Sequence, residues 1–170
     1  MTNKHNLANH PEAAGMSGKE LMQAMIEGRL VGPSMANTMS FRLVQVGDGF
    51  AIFEGDPGSH LLNPMGTIHG GWALALIDSA TGCAAHSLLP AGAAYTTIET
   101  KVNFSKPITI ETGRVRCEGR VISQGRQIIS AQALLLAPDG RILAHGTSTL
   151  MVLNPGAAPK PAPNPEPDSR

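Results

Sequence analysis

A short segment of the chain combines two adjacent glycines with a single carboxylate. His69, Gly70 and Gly71 open this segment, and Asp78 follows in a run otherwise composed of small and apolar residues with one serine. Glycines at the start of a helix leave backbone N–H groups open to a ligand, and the helix dipole favours negative charge there. Such N–H groups could form an oxyanion hole. A tight turn into the helix is the alternative explanation for the same two glycines.

Asp78 is the second group with chemical potential. It is the only carboxylate in the apolar stretch that runs from Gly71 to Leu89. A carboxylate among apolar side chains is well suited to act as a general base near neutral pH. The alternative is a buried aspartate that only accepts hydrogen bonds from loop amides.

The order of these residues matches a known family. His-Gly-Gly at 69–71, Asp78 nine residues after His69, and Ser79-Ala80 directly after it resemble the hotdog-fold acyl-CoA thioesterases of the phenylacetate-degradation and 4-hydroxybenzoyl-CoA type. The resemblance covers about residues 35–153. It implies hydrolysis of an acyl-CoA to a free acid and CoA, with no cofactor besides the CoA that belongs to the substrate. In that reaction the Gly70 N–H polarises the thioester carbonyl, and Asp78 activates water or attacks directly.

The same resemblance assigns roles to three more residues. Asn63 corresponds to the polar side chain that orients the water or the carbonyl, and Thr97 to a hydroxyl that helps to hold the nucleophilic water. His69 either orients the site or anchors its loop. The family often has Glu where this chain has Asp78, and some members carry a hydroxyl residue at the position of Gly82, so the aspartate branch is the nearer match.

Two turns of the chain fall where similar proteins contact the nucleotide and the pantetheine. Lys106 and Arg126 could pair with phosphates there, although an ordinary charged turn explains either residue equally well. The predicted substrate-binding residues are Gly71, Phe104, Ser105, Lys106, Ser123, Gly125 and Arg126.

Helix geometry separates the two catalytic candidates. Gly70 and Asp78 are eight residues apart, which places them about 12 Å apart on one straight helix. One reacting carbonyl needs the N–H donor and the attacking group at close range simultaneously. We therefore expect Gly70 of one subunit to face Asp78 of another across a two-fold interface. The resemblance implies the same interface site in a homodimer or a homotetramer.

The surrounding elements alternate between strand-like and helical patterns. A hairpin is predicted from residues 40–46 and 50–54, and a buried helix from residue 71 to about 89. Further strand-like segments cover residues 95–104, 113–123, 127–137 and 141–153. One buried helix and about six mostly antiparallel strands predict an α+β architecture, the hotdog fold, in which a curved sheet wraps the helix. A parallel sheet would need helices between the later strands.

The ends of the chain differ from this central domain. Ser17 caps a predicted amphipathic helix that ends near Gly28, so the domain is expected to span residues 17–153. Residues 1–16 are predicted to be flexible. Residues 154–170 include six prolines and no apolar periodicity, and are predicted to be a disordered tail.

Composition excludes several kinds of partner. Thirteen basic residues balance thirteen acidic ones without blocks of like charge, so neither nucleic acid nor a membrane surface is expected as a partner. The two cysteines, Cys83 and Cys117, lack the spacing of a metal site, and no metal is predicted. The longest apolar run, residues 72–77, is too short to span a bilayer, and we expect a cytoplasmic protein.

Two other functions use the same fold. A non-catalytic acyl-CoA-binding module is one, although the sequence contains no DNA-binding segment that would receive its signal. A hotdog dehydratase is the other, and only His69 and Asp78 could supply the His/acid pair that it requires. Fold analogy alone does not decide between these functions and hydrolysis.

Overall fold

The computed structural model describes residues 11–13 and 15–153. The predicted tail at 154–170 lies outside the described residues, as do residues 1–10 and 14 of the predicted flexible N-terminus. The first long element is helix α1 (Gly18–Ile26), which begins with a capping box between Ser17 and Glu20. The predicted serine-capped helix is therefore confirmed.

A hairpin follows after a short helix that the sequence did not predict. This helix, α2 (Ser34–Thr38), has five residues and buries none of them, so it carries no amphipathic pattern. Strands β1 (Phe41–Gly47) and β2 (Phe50–Gly55) then pair antiparallel, which confirms the predicted hairpin. Gly49 in the turn has a φ of 75°, a conformation that favours glycine.

The long helix α3 (Gly70–His86) lies against a single six-stranded sheet. The other strands are β3 (Ala94–Phe104), β4 (Val115–Gln124), β5 (Ile128–Leu136) and β6 (Ile142–Leu153), and the sheet order is β1-β2-β4-β5-β6-β3. Every pairing is antiparallel. The predicted α+β hotdog architecture, one buried helix wrapped by six strands, is confirmed.

The core forms where α3 meets the inner face of the sheet. Its buried side chains include Trp72, Leu76 and Ile77 from α3, and Cys117 and Leu135 from the sheet. The helix approaches the strands closely because glycine stands opposite it: a Cβ on Gly119 would lie 2.2 Å from the Ala80 carbonyl oxygen. The backbone of α3 is thereby fixed against the sheet.

A β-bulge interrupts β3 between Thr97 and Glu99. Thr97 pairs with Leu150 of β6 and Glu99 with Thr149, so Ile98 has no partner of its own. An extra residue of this kind reverses which side chains face the helix. Thr100 is thereby turned toward α3, together with Val102.

None of the helices in the described part of the chain has the length and apolar character needed to cross a membrane.

Candidate functional site

The site is built around the N-terminus of α3. His69 is the N-cap residue, and its Nδ1 accepts a hydrogen bond of 2.9 Å from the Gly71 N–H. The Trp72 N–H donates to the His69 carbonyl oxygen at 2.9 Å. Within residues 11–13 and 15–153, no protein acceptor bonds to the Gly70 N–H. This donor is therefore available to a ligand.

Two backbone hydrogen bonds hold the chain as it enters the helix. The Ile68 N–H donates to the Ile108 carbonyl and the His69 N–H to the Leu61 carbonyl, each at 2.8 Å. His69 itself is extended, with φ −62° and ψ 133°, the usual backbone of an N-cap residue. The position of the Gly70 N–H is thus determined by two loops as well as by the helix.

A cleft of about 300 Å³ opens beside this N–H. Its lining residues are Ile68, His69, Gly70, Ala73, Phe104, Ser105, Lys106, Pro107, Ile108 and Leu143. The Phe104 ring lies over Gly70, since a Cβ on Gly70 would be 3.2 Å from the ring. The N–H groups of Ser105 and Lys106 both donate to the Leu143 carbonyl oxygen, which fixes the turn. The structure therefore brings Gly70, Phe104, Ser105 and Lys106 together.

A second cleft, of about 330 Å³, lies on the other side of the helix start. Gly71, another predicted substrate-binding residue, lines it together with Met39, His60, Leu61, Leu62, His69 and Trp72. The indole N–H of Trp72 donates to the Met39 carbonyl at 2.6 Å, which fixes the ring. His69 contributes to both clefts. Both clefts have a mainly apolar lining, and Lys106 borders only the first of them.

Asn63 organises the turn that precedes these residues. Its Oδ1 accepts hydrogen bonds from the N–H groups of Met65 (2.9 Å) and Thr67 (3.2 Å), and its Nδ2 donates to the Thr67 hydroxyl at 2.8 Å. The amide oxygen is thus used within the turn, and among the described residues no acceptor occupies the second N–H of the Asn63 amide, which remains for a ligand.

Asp78 lies two turns into α3, partly buried against β3. Its Oδ1 accepts a hydrogen bond of 3.0 Å from the Thr100 hydroxyl. That hydroxyl is 3.0 Å from the Ser148 Oγ, which in turn is 2.8 Å from the Thr81 Oγ1. In the described part of the chain, Oδ2 of Asp78 has no protein donor. One carboxylate oxygen is therefore held by the protein, and the other is open.

The hydroxyl that contacts Asp78 is that of Thr100, a residue that the sequence did not indicate. The role expected for Thr97, to help hold the nucleophilic water, stays a prediction. The Thr97 side chain makes no hydrogen bond within the described residues, although it lies on the same strand. The β-bulge at Ile98 explains why Thr100 was missed, because a strictly alternating strand would place Thr97 and Thr100 on opposite faces. Only the pairing of β3 with β6 shows that the alternation of inward and outward side chains changes at Ile98.

The second predicted coenzyme turn lies far from the Gly70 cleft of the same chain. Ser123 is exposed near the end of β4, and Gly125 and Arg126 are exposed in the turn that follows, next to Ile128. Phe104, which lines the cleft, pairs with Ala144 of β6, and Ala144 pairs with Leu135 of β5. The cleft therefore lies at the level of Leu135 along β5. Ile128, beside the turn, and Leu135, level with the cleft, are seven residues apart on β5, which corresponds to roughly 23 Å. A single chain does not bring the two predicted coenzyme turns together.

Burial and the Asp78 charge raise the pKa values of two neighbouring groups, the Cys83 thiol and the Tyr95 hydroxyl. Burial, with a further contribution from the Asp78 charge, raises the pKa of the Cys83 thiol to about 12. Burial also raises the pKa of the Tyr95 hydroxyl well above its ordinary value, with smaller contributions from Cys83 and Asp78. Both groups are therefore neutral at physiological pH, and neither is a reactive nucleophile. Among the described residues, no cluster of His, Cys, Asp or Glu could hold a metal ion.

These features define a class of protein. A long helix wrapped by a six-stranded antiparallel sheet is the hotdog architecture, and the open N–H at the first turn of this helix is a donor suited to an oxyanion. The chain belongs to the Thioesterase superfamily, whose sequence profile matches residues 65–144.

Solved structures agree with this membership. A Thioesterase family protein from Silicibacter pomeroyi is 31% identical, with 78% of this chain and 98% of that one covered and a TM-score of 0.68. A phenylacetic acid degradation-related protein from Ralstonia eutropha is 26% identical, with 77% and 98% covered and a TM-score of 0.70. A conserved protein from Pseudomonas aeruginosa is 29% identical, with 71% and 94% covered and a TM-score of 0.67. No curated protein matches the sequence.

Proposed function

We propose that the protein hydrolyses an acyl-CoA thioester to the free acid and CoA, at a site shared by two copies of the chain. The main support is the Gly70 N–H, which borders a cleft and has no acceptor among the residues that the structure describes. Asp78 lies eight residues further along the same helix, about 12 Å away. One carbonyl cannot reach both groups of one chain, so the second group comes from a neighbouring copy.

The chemistry follows from the two groups. The thioester oxygen accepts a hydrogen bond from the Gly70 N–H, which strengthens as negative charge develops on that oxygen. Asp78 removes a proton from water as the water oxygen forms its bond to the carbonyl carbon. The C–S bond then breaks, and the departing thiolate takes the proton that Asp78 removed from water, which gives CoA and restores the Asp78 carboxylate. Direct attack by Asp78 would use the same geometry and would pass through an anhydride before hydrolysis.

The two coenzyme turns are compatible with a shared site. Lys106 borders the Gly70 cleft and has no ion pair within the described residues. Arg126 lies at the opposite end of the sheet, exposed and also without an ion pair there. We assign the phosphates of CoA to Lys106 of one copy and to Arg126 of the neighbour, because a long coenzyme that crosses the interface meets both ends.

The second cleft provides room for the acyl group. Met39, Leu61, Leu62 and Trp72 give it an apolar lining, and its volume of about 330 Å³ suits a compact acyl chain or one aromatic ring. We therefore propose a compact acyl group. The likeness to the phenylacetic acid degradation-related protein makes phenylacetyl-CoA the first aromatic candidate to assay. Hydroxybenzoyl-CoA is the second, because the His-Gly-Gly and Asp78 motif also resembles the 4-hydroxybenzoyl-CoA type.

Thiol release from a panel of acyl-CoAs tests the function. Short, medium, branched and aromatic acyl-CoAs are incubated with the purified protein, and free thiol is followed with a chromogenic disulfide reagent. We expect release from at least one compact acyl-CoA, and its loss in Asp78→Asn. An acyl-CoA-binding module or a dehydratase would release no thiol from any member of the panel, and that outcome would overturn the proposal. Sedimentation of the same sample distinguishes a monomer from the expected homodimer or homotetramer.

A further inference from the structure

Three hydroxyl groups form a continuous chain that leads away from Asp78. Thr100 on β3 donates to Oδ1 of Asp78, and the Oγ atoms of Thr100 and Ser148 are 3.0 Å apart. Ser148 on β6 is in turn 2.8 Å from Thr81 on α3. We call Thr100, Ser148 and Thr81 the hydroxyl chain. It runs from the helix to two strands and back to the helix, so it links the three elements around the carboxylate.

The inner part of the hydroxyl chain is shielded from water. Thr81 has an exposed fraction of 0% and Ser148 of 2%, although both are polar. Buried hydroxyls of this kind cost stability unless each finds a partner, and a fully satisfied network defines one geometry. The hydroxyl chain therefore fixes the position of the Thr100 hydroxyl independently of solvent.

The number of available protons determines the direction of each hydrogen bond. An ionised carboxylate only accepts, so Thr100 must donate its single proton to Asp78. Ser148 must then donate to Thr100, which leaves the Ser148 oxygen as an acceptor for Thr81. The Thr81 hydroxyl also lies 2.9 Å from the Ile77 carbonyl oxygen and 3.1 Å from the Asp78 carbonyl oxygen, and its single proton can go to either of them instead of to Ser148. Ionised Asp78 thus orders the Thr100 and Ser148 hydroxyls toward itself.

We propose that Ser148 and Thr81 are positioning residues for the base: through Thr100 they hold Oδ1 of Asp78 as an acceptor and leave Oδ2 as the oxygen that takes the proton from water. The proposal rests on the hydrolytic function proposed above. It assigns a role to two side chains that do not touch the substrate. The carboxylate keeps one orientation while its open oxygen gains the proton from water and later releases it.

Among the described residues, the Asp78 charge acts on two other titratable groups. They are Cys83 on α3 and Tyr95 on β3, and burial raises the pKa of both groups. Both are neutral across the acid range in which a carboxylate titrates. A change in the acid limb of activity therefore reports on Asp78 and not on these neighbours.

The test combines single and double substitutions in the hydroxyl chain. Thr100→Val removes the hydrogen bond to Oδ1, and Ser148→Ala removes the donor to Thr100. Thr100→Ser restores a hydroxyl, and Thr147→Ala, an exposed neighbour of Ser148 on the other face of β6, is the matched control. For each variant, kcat/KM is measured as a function of pH, and the midpoint of its fall on the acid side, the acid limb, is compared with the wild type. The Asp78 carboxyl is also titrated by carbon-detected NMR, with the resonance assigned by Asp78→Asn.

A positioning role predicts a specific pattern. Loss of a donor disfavours the ionised form, so Thr100→Val should move the acid limb and the NMR titration midpoint up by about one pH unit. Ser148→Ala should give a smaller shift in the same direction. The double variant should shift no more than Thr100→Val alone, because Ser148 acts through Thr100. Thr100→Ser and Thr147→Ala should titrate like the wild type.

Other outcomes separate the two proposals. Additive shifts in the double variant would show that Ser148 does not act through Thr100, and lowered melting temperatures with unmoved titrations would show that the hydroxyl chain is only structural. Either outcome would overturn the positioning role. If Ser148→Ala does not fold, Ser148→Cys replaces the hydroxyl by a weaker donor and is expected to shift both readouts in the same sense. If the wild type releases no thiol while the NMR midpoints shift as described, the hydroxyl chain stands and the hydrolytic function falls.

Discussion

The hydroxyl of Tyr95 occupies the space in which a side chain at position 82 would lie. A Cβ on Gly82 would be 2.5 Å from the Tyr95 hydroxyl oxygen and about 3 Å from two ring carbons. Gly82 is one turn after Asp78 on α3, at the position where some relatives are expected to carry a hydroxyl residue. In this chain, the Tyr95 hydroxyl from β3 fills that space, and the glycine makes room for it.

This relationship predicts that Gly82→Ala destabilises the protein. Alanine is favoured over glycine within a helix by about 1 kcal/mol, but overpacking of a close contact costs about 1–3 kcal/mol. We expect a lower free energy of unfolding, measured by urea denaturation, and partial recovery when Tyr95→Phe removes the nearest atom. Gly32→Ala serves as control, because a Cβ there meets no atom within 4 Å. A Gly82→Ala protein more stable than the wild type would contradict the close packing.

The fold could be predicted from the sequence because its signals are local. The apolar stretch that contains Asp78 is too long for a strand, and turn residues separate each of the later strands. The short helix α2 escaped prediction because it buries no residue and therefore leaves no periodic pattern.

The candidate site could be predicted only in part, because some contacts depend on pairing between distant strands. Gly70, Phe104 and Lys106 meet at one cleft, as their motif positions suggested. Thr100 was missed because the bulge at Ile98 changes the phase of β3, and no residue type marks that bulge. Ser148 lies 70 residues after Asp78, and its contact with Thr100 depends on the register between β3 and β6.

Asp78→Asn should fold normally and lose most of its turnover. The asparagine Oδ1 can still accept the Thr100 hydrogen bond, but the side chain can no longer take a proton. We expect kcat to fall by about 10²- to 10⁴-fold at an unchanged melting temperature. Asp48→Asn is the matched control, since Asp48 is an exposed surface carboxylate paired with Lys19. Wild-type kcat in Asp78→Asn would remove Asp78 from the mechanism.

His69 is expected to stabilise the start of α3 through its Nδ1 acceptor. His69→Ala removes the cap on the Gly71 N–H and should cost about 1 kcal/mol of unfolding free energy. His69→Asn offers an amide oxygen in its place and should retain most of this stability. Urea denaturation measures both variants. A lowered kcat/KM in a stable His69→Asn protein would assign His69 a role in orienting the site, whereas unchanged kinetics would limit it to anchoring the loop.

Stability should fall in mild acid because of His86. Burial lowers the pKa of this imidazole. In the unfolded chain His86 takes up a proton below about pH 6.5, whereas in the folded protein it does so only at lower pH. The stability that neutral His86 contributes is therefore complete above the unfolded pKa, and it is lost as the pH falls through the folded pKa. His86→Gln should therefore show a smaller drop in melting temperature between about pH 7.5 and about pH 5.5 than the wild type. His145→Gln, at an exposed position on β6, is the control, and its melting temperature is expected to fall as much as that of the wild type.

Gly70→Pro is a suitable variant with which to test the shared site. Gly70 is the first residue of α3, where proline is tolerated, and the backbone of His69 is already in the extended region that a following proline requires. Gly70→Pro removes the N–H that would bind the thioester oxygen. Gly70→Ala is the matched control, since it keeps the N–H and adds a Cβ in the same place beside the exposed Phe104 ring.

Mixed oligomers should recover activity that neither parent has. When Gly70→Pro and Asp78→Asn proteins are refolded together, a heterodimer has one site with both lesions and one site with neither, if each site takes Gly70 from one copy and Asp78 from the other. Random pairing makes half of the dimers mixed, so thiol release should return to about a quarter of the wild-type rate. Differently tagged subunits, purified through both tags, verify that mixed oligomers have formed. If these purified heterodimers release no thiol, while Gly70→Ala mixed with wild type stays active, both groups act within one chain and the interface site is wrong.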